Sequence, residues 1–192
     1  PRRRRRRSAH AVAVSPDAAR IFAAFSSGEV WQIAAATGEV ERRLSVSTAA
    51  VHEIAIDPAA AELAAASEDG VWIWTIADGK VAREFTLATP ARRVAYGAAA
   101  SKRLFAADAE GGVHVWDLGS GAALQEFGGH HQGPTTVRCA ADGLTALSAG
   151  AEGRFAAWRP AATFSFPVAS AAVTGVVVVA GGGQAYVADD AG

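Results

Sequence analysis

A fixed internal period constrains this chain more than any other feature. Four similar stretches recur: Ser27-Gly28-Glu29-Val30-Trp31-Gln32-Ile33, Asp69-Gly70-Val71-Trp72-Ile73-Trp74, Glu110-Gly111-Gly112-Val113-His114-Val115-Trp116-Asp117 and Glu152-Gly153-Arg154-Phe155-Ala156-Ala157-Trp158. The last large residue of each falls at Ile33, Trp74, Trp116 and Trp158, spacings of 41, 42 and 42 residues. A unit that short cannot bury its own apolar face and must stack on its neighbours. The period therefore predicts a repeat architecture.

Within each unit the runs are strand-sized. In the third, Arg92–Tyr96, Arg103–Ala107, Val113–Asp117 and Ala122–Phe127 are separated by turn-forming residues. β-Branched and aromatic runs between Gly, Asp, Ser and Pro turns indicate antiparallel meanders. Alanine is abundant and favours helices by propensity. Turn signals every 8 to 12 residues leave no room for a capped helix, so position overrides composition. The expected class is all-β, four strands to a unit.

This pattern resembles the tryptophan–aspartate (WD) repeat family of β-propellers, whose period is about 40 to 45 residues. Trp116-Asp117 at the end of a third strand carries the resemblance, together with Ser15-Pro16-Asp17, Asp57-Pro58 and Gly129-His130. It implies an incomplete propeller over 9–192, with blades at about 9–45, 50–86, 91–128 and 134–167 and a partial blade at 171–192. Residues 1–8 are expected to form a basic disordered tail. The chain contains no methionine and stops at Gly192, where the third strand of a fifth unit is due. It reads as part of a longer protein whose other blades complete the ring.

Family blades hold a buried hydrogen-bonded group of histidine, aspartate, serine or threonine, and tryptophan. Only the fourth unit approaches it, with His130 or His131, Ser148 and Trp158, and with Glu152 in the usual aspartate position. Trp116, Asp117, Trp74 and Asp69 are the corresponding structural candidates elsewhere. Ala23, Ala65 and Ala106 stand in the serine slot of the other units. Those units are expected to rely on apolar packing, because such networks rigidify only when every member is satisfied.

Catalytic chemistry finds no support. Gly181-Gly182-Gly183 lacks the following Lys-Ser or Lys-Thr of a phosphate-binding loop. Adjacent histidines 130 and 131 on an extended segment point to opposite sides and do not chelate one ion. Cys139 in an inner strand reads as an inert core thiol. His114 and His52 have no recognisable catalytic partner, and no Gly-x-Ser-x-Gly elbow is present. No enzyme activity, cofactor or metal is expected. No run of about 20 apolar residues suits a membrane span.

Charge divides the chain. Of 18 basic residues six form the run Arg2, Arg3, Arg4, Arg5, Arg6 and Arg7, so the body carries 12 against 19 acidic residues, a net −7. The body is thus not a nucleic-acid-binding surface by charge, whereas the tract could contact RNA phosphates or direct nuclear import. The family resemblance implies an intracellular scaffold, cytoplasmic or nuclear, that binds proteins or peptides through propeller rims and loops. His52, Arg92, Arg93 and Arg138, large polar groups in or near inner strands, are the expected contact residues. The alternative is a subunit of a nuclear or nucleolar ribonucleoprotein particle of ribosome assembly.

Overall fold

The computed structural model describes residues 8–45, 49–128, 130–131, 133–159, 162–167, 173–178 and 185–189. The arginine tract, residues 2–7, lies outside them, as does the glycine run 181–183. Eighteen strands form four four-stranded antiparallel sheets and one two-stranded sheet among the described residues. The first sheet is β1 (Ala9–Val14), β2 (Arg20–Phe25), β3 (Glu29–Ala34) and β4 (Val40–Ser45). The second is β5 (Val51–Ile56), β6 (Glu62–Ser67), β7 (Gly70–Thr75) and β8 (Val81–Thr86). The third is β9 (Ala91–Tyr96), β10 (Arg103–Asp108), β11 (Gly112–Asp117) and β12 (Ala123–Gly128), and the fourth β13 (Pro134–Cys139), β14 (Ala146–Gly150), β15 (Arg154–Arg159) and β16 (Ala162–Pro167). Strands β17 (Val173–Val178) and β18 (Ala185–Asp189) make the last. Every sheet is a simple meander in chain order, which is the architecture of an incomplete propeller.

Buried alanine explains how this composition makes sheets. Ala64, Ala65 and Ala66 on β6, Ala106 and Ala107 on β10, and Ala146 and Ala149 on β14 are all fully buried. These second strands are covered on both faces, so a small side chain lets neighbouring blades approach. Bulk is supplied from the adjoining strand. Trp74 joins Phe22, Val30 and Leu44 of the first blade, Trp116 joins Ala64, Ala66 and Ile73 of the second, and Trp158 joins Phe105, Val113 and Phe127 of the third. Each tryptophan thus plugs the preceding blade. Its partner on that blade's outer strand also recurs: Phe85 stacks on Trp116 with centroids 4.7 Å apart, and Phe127 meets Trp158 at 5.2 Å. Ring contacts of this geometry add about 0.5–1.5 kcal/mol beyond the area they bury.

A polar bond repeats across the same junctions. Arg42 on β4 donates through Nη1 to the Ile76 carbonyl (3.0 Å), and Arg83 on β8 donates through Nη2 to the Leu118 carbonyl (2.7 Å). The acceptors occupy matching turns of the next blade.

The hairpins follow the period too. The first turn of each full blade holds one left-handed residue: Ala18 (φ 56°), Ala60 (φ 57°), Lys102 (φ 46°) and Gly143 (φ 67°). Only the fourth blade uses glycine there. Asp57 offsets the strained turn in the second blade by accepting from the amides of Ala61 (2.6 Å) and Glu62 (2.8 Å). Asp142 does the same in the fourth, accepting from Leu144 and Thr145 at 2.8 Å each. At Gly111 (φ 98°) a Cβ would stand 1.7 Å from the His130 carbonyl oxygen, so the close approach of the fourth blade demands glycine.

Candidate functional site

The inner strands β1, β5, β9 and β13 lie side by side, one from each blade, so side chains one repeat apart in sequence become neighbours. His10 and His52 stack with centroids 6.4 Å apart and planes 15° from parallel. His10 Nδ1 lies 3.2 Å from the Val51 carbonyl. Next along, Arg92 Nη1 donates to Glu68 Oε1 (2.9 Å), and the same oxygen lies 2.6 Å from His52 Nε2. Arg92 Nη1 also approaches His52 Nε2 at 2.5 Å. Glu53 accepts from the Val94 amide (2.9 Å) with Oε2 and from Arg138 Nη1 (3.2 Å) with Oε1. Arg138 and Arg93 further anchor to the carbonyls of Val137 (2.7 Å) and Arg92 (2.9 Å).

The four contact residues expected from sequence, His52, Arg92, Arg93 and Arg138, therefore all sit on three adjacent inner strands. Glu53, Glu68 and His10 complete the arrangement and are not evident in the sequence, because their partners lie on other strands 16 to 85 residues away. Burial is the main reason His52 titrates below its ordinary value, aided by the Arg92 charge and opposed by Glu68. For Glu68, burial opposes ionisation but is outweighed by His52 and Arg92, which hold its pKa below the usual range. The face therefore presents an imidazole whose charged form is disfavoured, with three guanidinium groups against two carboxylates. Arg92 and Glu68 are 35% and 39% exposed, and pairs that open to water contribute only about 0–1 kcal/mol. They orient donors more than they stabilise the fold.

A buried polar chain closes the fourth blade. Trp158 Nε1 donates to Ser148 Oγ (2.5 Å), which donates to His130 Nε2 (2.6 Å). That direction leaves the Nδ1 proton of His130 to donate to Glu152 Oε1 (2.6 Å). The His130 side chain is wholly buried, and His131 is exposed and takes no part in the chain. Two other structural assignments are corrected. Asp69 is exposed in the turn between β6 and β7, where its amide donates to Ser67 Oγ (3.3 Å). Asp117 caps the turn after β11, accepting from the amide (2.7 Å) and hydroxyl (3.0 Å) of Ser120. Asp69 follows the end of β6 and Asp117 is the last residue of β11, which places both at turns. Trp74 and Trp116 pack between blades as described above.

The third blade has a polar pair that sequence reasoning missed. Asp108, 5% exposed, accepts from His114 Nε2 (2.8 Å) and from the amides of Glu110 and Gly112 (2.9 Å each). Burial works against the Asp108 carboxylate, but the His114, Gly112 and Thr89 donors prevail and lower its pKa. His114 in turn stacks on Trp116 at 5.8 Å. The available signal was an acid six residues before a histidine at the mouth of a glycine turn.

Cys139 is half-buried, and burial foremost, with Asp142 nearby, pushes its thiol up to about 11. Among the described residues no three His, Cys, Asp or Glu side chains gather as metal ligands.

Fold and site together define a β-propeller built from WD40-type repeats. Two solved structures bear that likeness. The chain is similar to the structure of U3-55K, with a TM-score of 0.81 and 16% identity over 90% of this chain and 56% of that one. It is likewise similar to the crystal structure of the RRP9 WD40 repeats, with a TM-score of 0.82 and 16% identity over 90% of this chain and 55% of that one. The chain thus spans about half the length of the structures it matches. No family model and no curated protein matches the sequence. At this identity the likeness defines the fold.

Proposed function

We propose that this protein is a non-catalytic scaffold that holds partner proteins or peptides on its inner-strand face and so helps assemble a multiprotein complex. One observation carries the reading. His52, Arg92, Arg93 and Arg138 stand on adjacent inner strands, with Arg92 interlocked with His52 and Glu68 and Arg138 held by Glu53. Fixed guanidinium donors on stiff strands suit the carbonyl and carboxylate groups of an extended segment. Selectivity then comes from their placement, since the blades behind them are held by interlocking aromatic and alanine packing.

Affinity capture of the protein from native extract, with and without ribonuclease, tests this when paired with the double variant His52→Ala/Arg93→Glu. The expected result is a defined set of proteins that survives ribonuclease and is lost from the variant. If the variant retains the whole set, the inner-strand face is not the contact surface. If the set collapses with ribonuclease, the ribonucleoprotein reading replaces this one and the tract Arg2–Arg7 becomes the first deletion.

A further inference from the structure

A cleft of about 410 Å³ opens between the second and third blades, at the strand ends away from His52 and Glu68. Its walls come from the first turns of both blades and from the Leu118-Gly119 turn. Three groups in it make no side-chain hydrogen bond or close ion pair among the described residues: the Tyr96 hydroxyl, Lys102, and Arg103, which feels the Asp117 charge only at longer range across the β10–β11 pairing. The Tyr96 hydroxyl is buried, and a buried hydroxyl without a partner is costly and uncommon in native proteins. The cleft's acids are already engaged. Glu62 pairs with Arg83 at 2.8 Å, and Asp57 is spent on the amides of its own turn. What remains open is one phenolic donor and two cations, beside an apolar wall of Pro58, Ala98 and Leu118.

We propose that this cleft is a second docking site, taking an acidic peptide segment whose carboxylate meets Lys102 and Arg103 and one of whose backbone carbonyls accepts from the Tyr96 hydroxyl, while an adjoining apolar side chain packs on Pro58, Ala98 and Leu118. Geometry favours a peptide. The cleft is of a size for one or two side chains, and its edges are formed by exposed turns along which a backbone can lie. The scaffold would then hold two partners on opposite faces. This site uses none of His52, Arg92, Arg93 and Arg138, so it stands or falls separately from the proposal above.

The test uses fluorescein-labelled octapeptides of alternating glutamate and leucine, with a glutamine–leucine counterpart, read by anisotropy against the full chain. The glutamate peptide is expected to bind roughly tenfold tighter than its counterpart, as the loss of one charge-assisted bond implies. Its advantage should shrink as salt rises. Lys102→Glu removes that preference, while His52→Ala/Arg93→Glu leaves it intact. Tyr96→Phe weakens the peptide and, because it deletes an unpartnered hydroxyl, raises the melting temperature. Equal binding of the two peptides, or a preference that survives Lys102→Glu, overturns the proposal. A lower melting temperature for Tyr96→Phe also overturns it, since the hydroxyl would then be satisfied without a ligand.

Discussion

Replacing Ser148 by alanine removes one oxygen that two buried groups depend on. Trp158 Nε1 loses its acceptor and His130 Nε2 loses its donor, while Glu152 keeps hold of Nδ1. Neither orphan can turn to solvent, because Ser148 and the His130 side chain are 0% exposed and Trp158 is 2% exposed. The vacated oxygen leaves far less than the roughly 30 Å³ a water occupies in the liquid, so water does not repair the gap. An unsatisfied buried group costs about 1–3 kcal/mol, and two of them put the loss at about 2–6 kcal/mol. Urea unfolding at neutral pH, followed by tryptophan fluorescence, measures it. Ser120→Ala on an exposed turn is the control and should change stability by less than about 0.5 kcal/mol. Ser148→Ala combined with Trp158→Phe should cost at least ~1 kcal/mol less than the two single losses added, because the orphaned indole N–H is gone. A Ser148→Ala loss no larger than that of Ser120→Ala would refute the reasoning, as would simple additivity in the double variant.

Three further outcomes follow from the geometry. Ala60→Gly should stabilise the protein by up to about 1 kcal/mol in the same assay, since relief of the left-handed strain exceeds the added freedom of the unfolded chain. Asp142 is held well below the ordinary carboxylate range: burial opposes its charge, but Arg159, Thr145 and the turn amides outweigh it. Its contribution is therefore complete above about pH 4 and is lost as pH falls toward the folded-state value, so Asp142→Asn should flatten the decline of melting temperature below pH 4. Cys139, pushed up to about 11 from an ordinary 9.0, should react with a thiol-selective maleimide at pH 8 roughly a hundredfold more slowly than in denaturant.

Much of the fold is legible in the sequence because its signals are local and recur. Trp74, Trp116 and Trp158 mark the period, and the turn residues cut each unit into strands of the right length. The junction bonds of Arg42 and Arg83 carry only a faint signal, two arginines 41 residues apart whose acceptors are carbonyls of the next blade. Site residues are harder. Ser148, Glu152 and His130 can be read because they hold familiar positions around Trp158. Asp108 could not be, since an acid before Glu110-Gly111-Gly112 looks like one more solvated turn carboxylate until its burial is known. The Tyr96 cleft is invisible for a different reason: its walls are turns from two blades, and no spacing within one repeat encodes their meeting.

Glu53 grips two blade junctions at once. One carboxylate oxygen takes the Val94 amide on β9 and the other takes Arg138 on β13, 85 residues along the chain. Stacked repeats that touch only their nearest neighbours come apart one at a time, each junction contributing its own term. Here opening the junction between the second and third blades also strips a partner from the fourth. That tie is a partly exposed ion pair, so it couples the fourth blade to the second by no more than about 1 kcal/mol. As the chain leaves the ribosome, Glu53 stays half engaged until Arg138 has emerged to complete its grip.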